Sequence, residues 1–304
     1  MWQELLQQIK DGNIKTLARV ISLVENEYDG YEELLQLLPG TNTVKTIGIT
    51  GPPGAGKSTL VDSLLGLLVQ EGKKVAVLCV DPSSPFNLGA LLGDRIRMSE
   101  WYNHPDIFIR SLATRGSLGG LHPKIIEISD IIKAAPFDYI IIETVGVGQS
   151  EIEIAGLADT TVVVVVPEAG DEVQTMKAGL MEIADVFVVN KSDRPGADIF
   201  VHNLRQMLAP SFNAHAQQVE IIKTTAHQKE GIKEMWQAIN KSLQQAAIPA
   251  KKYWLLAEKA YYLIQQQRMK TVNKKELKAL VEEQMKENTF NLYKLVAEYI
   301  QATK

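Results

Sequence analysis

The sequence has one cysteine and no block of basic residues, and each of these shortages excludes a class of protein. A single thiol, Cys79, cannot form an internal disulfide or a multi-cysteine metal site, and its apolar neighbours predict a buried side chain. The net charge is −4 over 304 residues. Because binding a phosphate backbone requires a basic surface, this charge argues against nucleic acid as the main partner.

Long apolar segments are also missing. Apolar runs such as residues 162–166 are far too short to span a bilayer, and no basic and apolar leader begins the sequence. We therefore expect a cytoplasmic protein with no membrane partner. A hydrophobic content of 45% is enough for a sizeable core, in one large domain with additions or in two domains.

One nine-residue stretch fits the phosphate-binding pattern G-x-x-x-x-G-K-[ST]: Gly51, Pro52, Pro53, Gly54, Ala55, Gly56, Lys57, Ser58 and Thr59. It follows an apolar run and precedes a helix expected over 58–70, which is the context that a P-loop requires. Its glycines let backbone N–H groups form a nest for a polyphosphate, next to the positive end of the helix. We expect Lys57 to bridge the β- and γ-phosphates and Ser58 to hold Mg²⁺. The alternative is an accidental glycine loop.

A P-loop alone does not separate GTPases, ATPases and small-molecule kinases, so the element that reads the base decides between them. The pattern N-K-x-D follows an apolar run as Asn190, Lys191 and Asp193. The Asp193 carboxylate can accept from N1–H and N2–H₂ of guanine, a pair of donors that adenine lacks, and the Lys191 stem can cover the base. The alternative for Asp193 is a helix cap.

A second base loop is predicted at the end of the next strand, with a plain turn as its alternative. Its residues are Thr225, Ala226 and His227.

Three carboxylates are candidate Mg²⁺ ligands beside Ser58. Asp81 and Glu143 each end an apolar run, and Asp94 lies in the loop-rich stretch 82–98. Mg²⁺ keeps several waters and needs only one or two protein oxygens, so carboxylates next to a P-loop suit it. Their alternative role is to cap the following turn. Lys57, Asp94 and Glu143 are the predicted catalytic residues, although no residue is identifiable as a catalytic base.

The stretch Glu143-Thr144-Val145-Gly146 is similar to the D-x-x-G element of GTPases, with glutamate in place of aspartate. The Gly146 amide would then contact the γ-phosphate, and residues 148–151 would move when that phosphate leaves. Arginines 95, 97, 110 and 115 could neutralise phosphoryl charge, but surface pairing is the commoner fate. The five histidines, at 104, 122, 202, 215 and 227, show no ligand spacing and are expected on the surface or in loops.

Seven apolar runs predict strands, at 45–50, 75–80, 107–111, 139–143, 161–166, 186–190 and 220–225. Several are apolar at every position rather than at alternate ones, which indicates strands covered on both faces. We therefore predict an α/β fold with a mostly parallel sheet and a P-loop GTPase core at 43–248. Helical extensions are expected at 1–42 and at 249–304, the latter as two long helices, 251–269 and 274–303, whose apolar stripes need a partner surface.

Motifs across about residues 43–231 together resemble the MeaB/ArgK family of methylmalonyl-CoA mutase-associated G-protein chaperones. They are residues 80–85, 93–98, 109–116, 143–151, 177–185 and 190–198. The resemblance implies a GTPase that uses GTP/GDP and Mg²⁺, and a homodimer with the C-terminal helices as an arm. It also implies a chaperone that couples its nucleotide state to cofactor loading and protection of an adenosylcobalamin-dependent acyl-CoA mutase. Residues 146–151 would be switch II, and Asp171, Glu172, Gln174 and Lys177 would lie in a further switch loop.

Two other functions remain open from the sequence. One is an ATPase or kinase coupled to amino-acid transport, which guanine recognition by Asp193 would exclude. The other is a scaffold that binds GTP without hydrolysing it, against which the intact Lys57 and carboxylates argue.

Overall fold

The computed structural model describes residues 1–40, 43–81, 98–114, 121–144, 150–167, 178–208, 219–244, 249–287 and 289–302. The chain divides into two compact units, Met1–Pro249 and Ala250–Lys304. The helices that precede the first strand belong to the first unit, together with the sheet.

The first unit contains a sheet of seven strands. They are β1 (Lys45–Thr50), β2 (Val75–Asp81), β3 (Ile107–Ala113), β4 (Tyr139–Glu143), β5 (Thr160–Val165), β6 (Val186–Val189) and β7 (Glu220–Lys223). Their order across the sheet is β3-β2-β4-β1-β5-β6-β7, and every neighbouring pair is parallel. This confirms the expected α/β fold with a parallel sheet. Each strand lies where an apolar run predicted it, with ends that differ by two residues or fewer.

Three α-helices of this unit precede β1, and six further described α-helices lie between strands or after the last one. They are α1 (Trp2–Lys10), α2 (Ile14–Glu25), α3 (Tyr31–Gln36), α4 (Lys57–Gln70), α5 (Ile125–Ile132), α6 (Ser150–Leu157), α7 (Ala178–Ile183), α8 (Ala197–Leu208) and α9 (Ile232–Gln244). A large core cluster joins α4 and α9 to one face of the sheet. Strands β2, β5 and β6 are buried at every position. Their continuous apolar runs thus result from cover on both faces.

Three aspartates fix the register of the sheet in the same way, each just before a strand. Each carboxylate accepts the N–H of a residue on a neighbouring chain segment at 2.8 Å. Its own N–H donates back to the carbonyl of that same residue. The pairs are Asp138 with Lys74, Asp159 with Thr46, and Asp185 with Thr161. Because a parallel register is set at the start of the strands, the polar residues at their carboxyl ends are aligned as well.

Polar contacts join the N-terminal helices to the sheet. Arg110 in β3 donates to the Glu25 carboxylate at 2.7 Å, so this arginine is paired with a protein carboxylate. His122 lies next to that pair, with its Nε2 3.7 Å from Glu25 Oε1 and its Nδ1 accepting the Lys124 N–H at 3.0 Å. His122 lies in a loop, which is one of the two expected places, but this packing leaves it only 2% exposed rather than on the surface.

The second unit consists of α10 (Pro249–Met269), α11 (Lys274–Lys286) and α12 (Leu292–Ala302). The prediction of a single helix over 274–303 is wrong, because this segment forms two helices. The Thr289 N–H donates to Gln284 O at 3.0 Å and ends the first of them. The Asn291 side chain then accepts from the N–H groups of Tyr293 and Lys294 and caps the next. No helix among the described residues is long and apolar enough to cross a membrane.

The carboxylates that pair neighbouring strands should contribute to stability. We expect Asp159→Ala to lower the free energy of unfolding by about 1–2 kcal/mol, because the Thr46 N–H loses its acceptor. Urea denaturation followed by circular dichroism measures this change. Asp29→Ala, at an exposed turn, is the control and should change the free energy by less than about 0.5 kcal/mol. Equal effects of the two changes would contradict the role of Asp159.

Candidate nucleotide-binding site

The P-loop connects β1 to α4, as its sequence context predicted, and two of its glycines are required by close contacts. Gly51 has φ +138°, and a Cβ there would lie 2.0 Å from the Val164 carbonyl oxygen on β5. Gly56 has φ +88°, and a Cβ there would lie 2.4 Å from Asn190 Nδ2. The loop therefore turns against the end of β5 and against the loop that follows β6. Only residues without a side chain fit at these two positions.

The buried side chain of Asn190 joins the P-loop to the second predicted base loop. Its Nδ2 donates to the Ala55 carbonyl at 2.8 Å. Its Oδ1 accepts from the Thr224 hydroxyl and from the Ala226 N–H, both at 3.1 Å. Asn190 is 2% exposed, so these bonds lie away from solvent. One amide thus holds three chain segments in a fixed arrangement.

The residue after Asn190 also contacts the P-loop. Lys191 adopts a left-handed conformation, with φ 57°, and its Nζ donates to the Gly54 carbonyl at 2.8 Å. The Ser192 N–H donates to Thr224 O at 3.0 Å. Asp193, two residues after Lys191, is exposed, so its carboxylate is accessible to a ligand.

The second base loop is a short, closed turn. Thr225 and Glu230 exchange two backbone hydrogen bonds, at 3.1 and 3.3 Å, around a 3₁₀ helix at Ala226–Gln228. Ala226 is 3% exposed, whereas His227 is exposed. The contact with Asn190 places this loop at the same end of the sheet as Asp193, because the carboxyl ends of parallel strands lie together.

The phosphate end of the site contains buried polar side chains. Lys57 Nζ donates to the carbonyls of Gly51 and Pro52, at 2.9 and 3.1 Å, so its ammonium lies over the loop. The Ser58 hydroxyl donates to Glu143 Oε1 at 2.7 Å. Two residues that the sequence assigned to Mg²⁺, from α4 and the end of β4, are therefore in contact.

Asp81 ends the strand next to β4. The register pairs Cys79 with Glu143, which places Asp81 two residues, or roughly 7 Å, further along the sheet. The described residues contain no group of three or more His, Cys, Asp or Glu side chains that could hold a metal ion. Asp94 and Gly146 lie outside the described residues. So do arginines 95, 97 and 115, His215 and the further switch residues Asp171, Glu172, Gln174 and Lys177.

Comparison with known proteins identifies the family of this chain. The model of the family described as Methylmalonyl Co-A mutase-associated GTPase MeaB matches residues 17–291. The chain belongs to the MeaB family. It is a P-loop GTPase, and binding of guanine nucleotides is implied by its family.

Several relatives of this MeaB-family chain are named as GTPases. A putative GTPase of Pyrococcus abyssi is 47% identical over 243 residues, covering 79% of this chain and 75% of the relative. The GTPase ArgK of Escherichia coli is 38% identical over 245 residues, covering 78% and 74%. The mouse protein named methylmalonic aciduria type A homolog, mitochondrial, is 34% identical over 257 residues, covering 77% of this chain but 62% of that protein.

One solved structure resembles the chain over nearly its whole length. It is a crystal structure titled LAO/AO transport system kinase, with a TM-score of 0.69 and 28% identity, covering 99% of this chain and 97% of the other. Both GTPase and kinase names therefore occur among proteins similar to this MeaB-family chain.

The structure also contains polar site residues that the sequence patterns did not predict. The hydroxyls of Thr50 and Thr144 are 2.9 Å apart and buried, just beyond the phosphate end of the site. Thr224 supplies one of the two donors to Asn190. A threonine at the end of a strand is too common to single these residues out. Only the alignment of neighbouring strands shows that they meet.

The contact between Gly56 and Asn190 predicts that two glycine substitutions differ. Gly54→Ala and Gly56→Ala both place a side chain at positive φ, at a cost of about 1–2 kcal/mol, but only the second meets another residue. We therefore expect Gly56→Ala to lose about 1–3 kcal/mol more unfolding free energy. Urea denaturation without nucleotide measures the difference. Equal losses would mean that Asn190 moves aside without cost.

Proposed function

We propose that this MeaB-family GTPase is a chaperone for an adenosylcobalamin-dependent acyl-CoA mutase, such as methylmalonyl-CoA mutase, and assists cofactor loading and protection. The family description and the name of the mouse relative support the choice of partner. The GTP chemistry rests mainly on one observation, the buried Asn190 that joins the P-loop to the second base loop. Because of this contact, the predicted phosphate-binding loop and the predicted base loop belong to one site.

In this proposal the base end selects guanine. The Asp193 carboxylate accepts from N1–H and N2–H₂ of the base, and its exposure supports this role. The Lys191 stem covers one face of the ring, since its ammonium already reaches the P-loop. The backbone of Thr225, Ala226 and His227 borders the base on the other side.

The phosphate end binds the triphosphate through the loop amides, from Gly51 to Thr59, at the N-terminus of α4. Lys57 exchanges its two carbonyl acceptors for β- and γ-phosphate oxygens and neutralises charge on them. Water then attacks the γ-phosphate in line, and the chain accelerates this step by positioning the phosphates and by charge neutralisation.

The donor set at this end fits Mg²⁺. Ser58 and Glu143, in contact, and Asp81 nearby supply hydroxyl and carboxylate oxygens, which this ion prefers, and Asp94 is a further candidate. When bound, Mg²⁺ neutralises charge that develops on the phosphoryl group. Gly146 senses the γ-phosphate in this scheme, and residues 146–151 and 171–177 transmit its loss to the mutase.

We also propose that the chain is a homodimer that forms through its C-terminal unit. Helices α10, α11 and α12 expose large apolar side chains, with Tyr253, Tyr261 and Tyr293 at 70%, 65% and 85% exposure. Further exposed members of this set are Leu256, Tyr262, Ile264, Met269, Leu280, Met285, Leu292, Val296 and Ile300. An exposed apolar surface of this extent is typical of an interface with another chain.

Guanine recognition can be tested by Asp193→Asn. We expect the Kd for GDP to rise about 10- to 100-fold, because the carboxylate loses its charge and one acceptor. Xanthosine diphosphate should gain affinity, because an amide can donate to the additional oxygen of its base. Isothermal titration with Mg²⁺ measures both. Asp198→Asn, at a nearby exposed carboxylate paired with Lys223, is the control and should change neither. Unchanged GDP affinity in Asp193→Asn would favour the ATPase or kinase function.

The partner can be tested with purified methylmalonyl-CoA mutase. We expect GTP but not ATP to be hydrolysed, faster when the mutase is present. Sedimentation should show a dimer of this chain that binds the mutase in a nucleotide-dependent way. Lys57→Ala is the control. It should lower the rate of GTP hydrolysis by about 100-fold or more, because the ammonium group that neutralises phosphate charge is lost. GTP turnover that is absent both alone and with the mutase would contradict the proposal.

A further inference from the structure

The hydroxyl of Ser63 connects the P-loop helix to the second base loop. Ser63 lies on α4 and is 6% exposed. Its Oγ donates to the Thr59 carbonyl at 3.0 Å, a local contact that a helical serine commonly makes. The same hydroxyl hydrogen is shared with the Ala226 carbonyl, 2.9 Å from Oγ and 163 residues away in sequence. This second contact is a tertiary one and is not part of the hydrogen bonding within the helix.

Ala226 is held from both sides by these contacts. Its N–H donates to Asn190 Oδ1 at 3.1 Å, and its carbonyl accepts from Ser63 Oγ and from the Lys229 N–H. Asn190 ties the loop to the strand ends, whereas Ser63 ties it to the helix. With one of the two contacts removed, the loop could still pivot about the other.

The position of Ser63 along the helix gives this contact a consequence for ligands. It is six residues after Lys57, which corresponds to about 9 Å along the α4 axis. The helix N-terminus is the phosphate end of the site, so the contact sets the distance from that end to the second base loop. A ligand that spans both ends depends on this distance, whereas a ligand that occupies only the phosphate end does not.

We propose that Ser63 is a positioning residue for guanine recognition. It holds the loop of Thr225, Ala226 and His227 at the distance from the phosphate end that a guanine nucleotide requires. This inference rests on the proposed function of that loop as a base contact. In this proposal Ser63 acts through the loop, by its contact with the Ala226 carbonyl, and does not itself bind the nucleotide.

The test compares Ser63→Ala with a matched control, Ser129→Ala. Ser129 is 2% exposed on α5, and its Oγ donates to the Ile125 carbonyl one helical turn earlier. Both changes remove a buried hydroxyl and its local helical bond, but only Ser63→Ala removes the contact with Ala226. Isothermal titration with GDP and with inorganic tripolyphosphate, each with Mg²⁺, separates the two ends of the site.

For Ser63→Ala we expect the Kd for GDP to rise about three- to tenfold, which corresponds to the loss of one hydrogen bond. The Kd for tripolyphosphate should be unchanged. The KM for GTP should rise in the same ratio while kcat is kept. Ser129→Ala should change none of these values. A structural role alone would instead weaken GDP and tripolyphosphate together.

Two results would overturn the inference. One is an equal loss of GDP and tripolyphosphate affinity in Ser63→Ala, which would place its effect on the P-loop. The other is an unchanged GDP affinity. Failure of the proposed function would be seen earlier and separately, as a wild-type chain that binds ADP as tightly as GDP, and the inference would fail with it.

Discussion

The nucleotide site depends on one buried amide, that of Asn190. Its oxygen accepts two hydrogen bonds, from Thr224 and Ala226, and its nitrogen donates to Ala55. A buried donor or acceptor that loses its partner costs more free energy than an average hydrogen bond contributes, so these segments hold one another in place. The phosphate and base elements are thereby arranged before a ligand arrives, and binding does not have to supply the cost of ordering them.

The parallel sheet makes this arrangement possible. Parallel strands bring all their carboxyl ends to one edge, so segments far apart in sequence meet where β1, β5 and β6 end. The aspartates before β4, β5 and β6 set the register at the opposite edge. Gly51 then passes so close to the end of β5 that a one-residue slip between β1 and β5 would disrupt the P-loop. The precision of the site is thus a consequence of strand register.

The two ends of the site differ in burial, and the difference suits the proposed role as a nucleotide-dependent chaperone. Lys57, Ser58 and Glu143 are buried, where charges and hydroxyls act strongly on a phosphate. Asp193 and His227 are exposed, so a base can enter and leave without opening the core. In the proposed cycle, hydrolysis changes only the γ-phosphate end, and the fixed base end keeps the nucleotide bound while the partner surface changes.

The sequence by itself determined the strands, the P-loop and the loop of Asn190, because each has a local pattern. Continuous apolar runs require cover on both faces, and G-x-x-x-x-G-K-[ST] requires a tight turn before a helix. Tertiary structure alone decided the contacts of Ser58 with Glu143, of Thr50 with Thr144 and of Ser63 with Ala226, each between residues more than 80 positions apart. Tertiary structure also decided the burial of His122. The structure further shows that α11 ends before Thr289, where periodicity predicted one continuous helix. A pattern in the sequence records what a residue's neighbours along the chain allow, whereas these features depend on strand register and packing, which bring together residues that no local pattern connects.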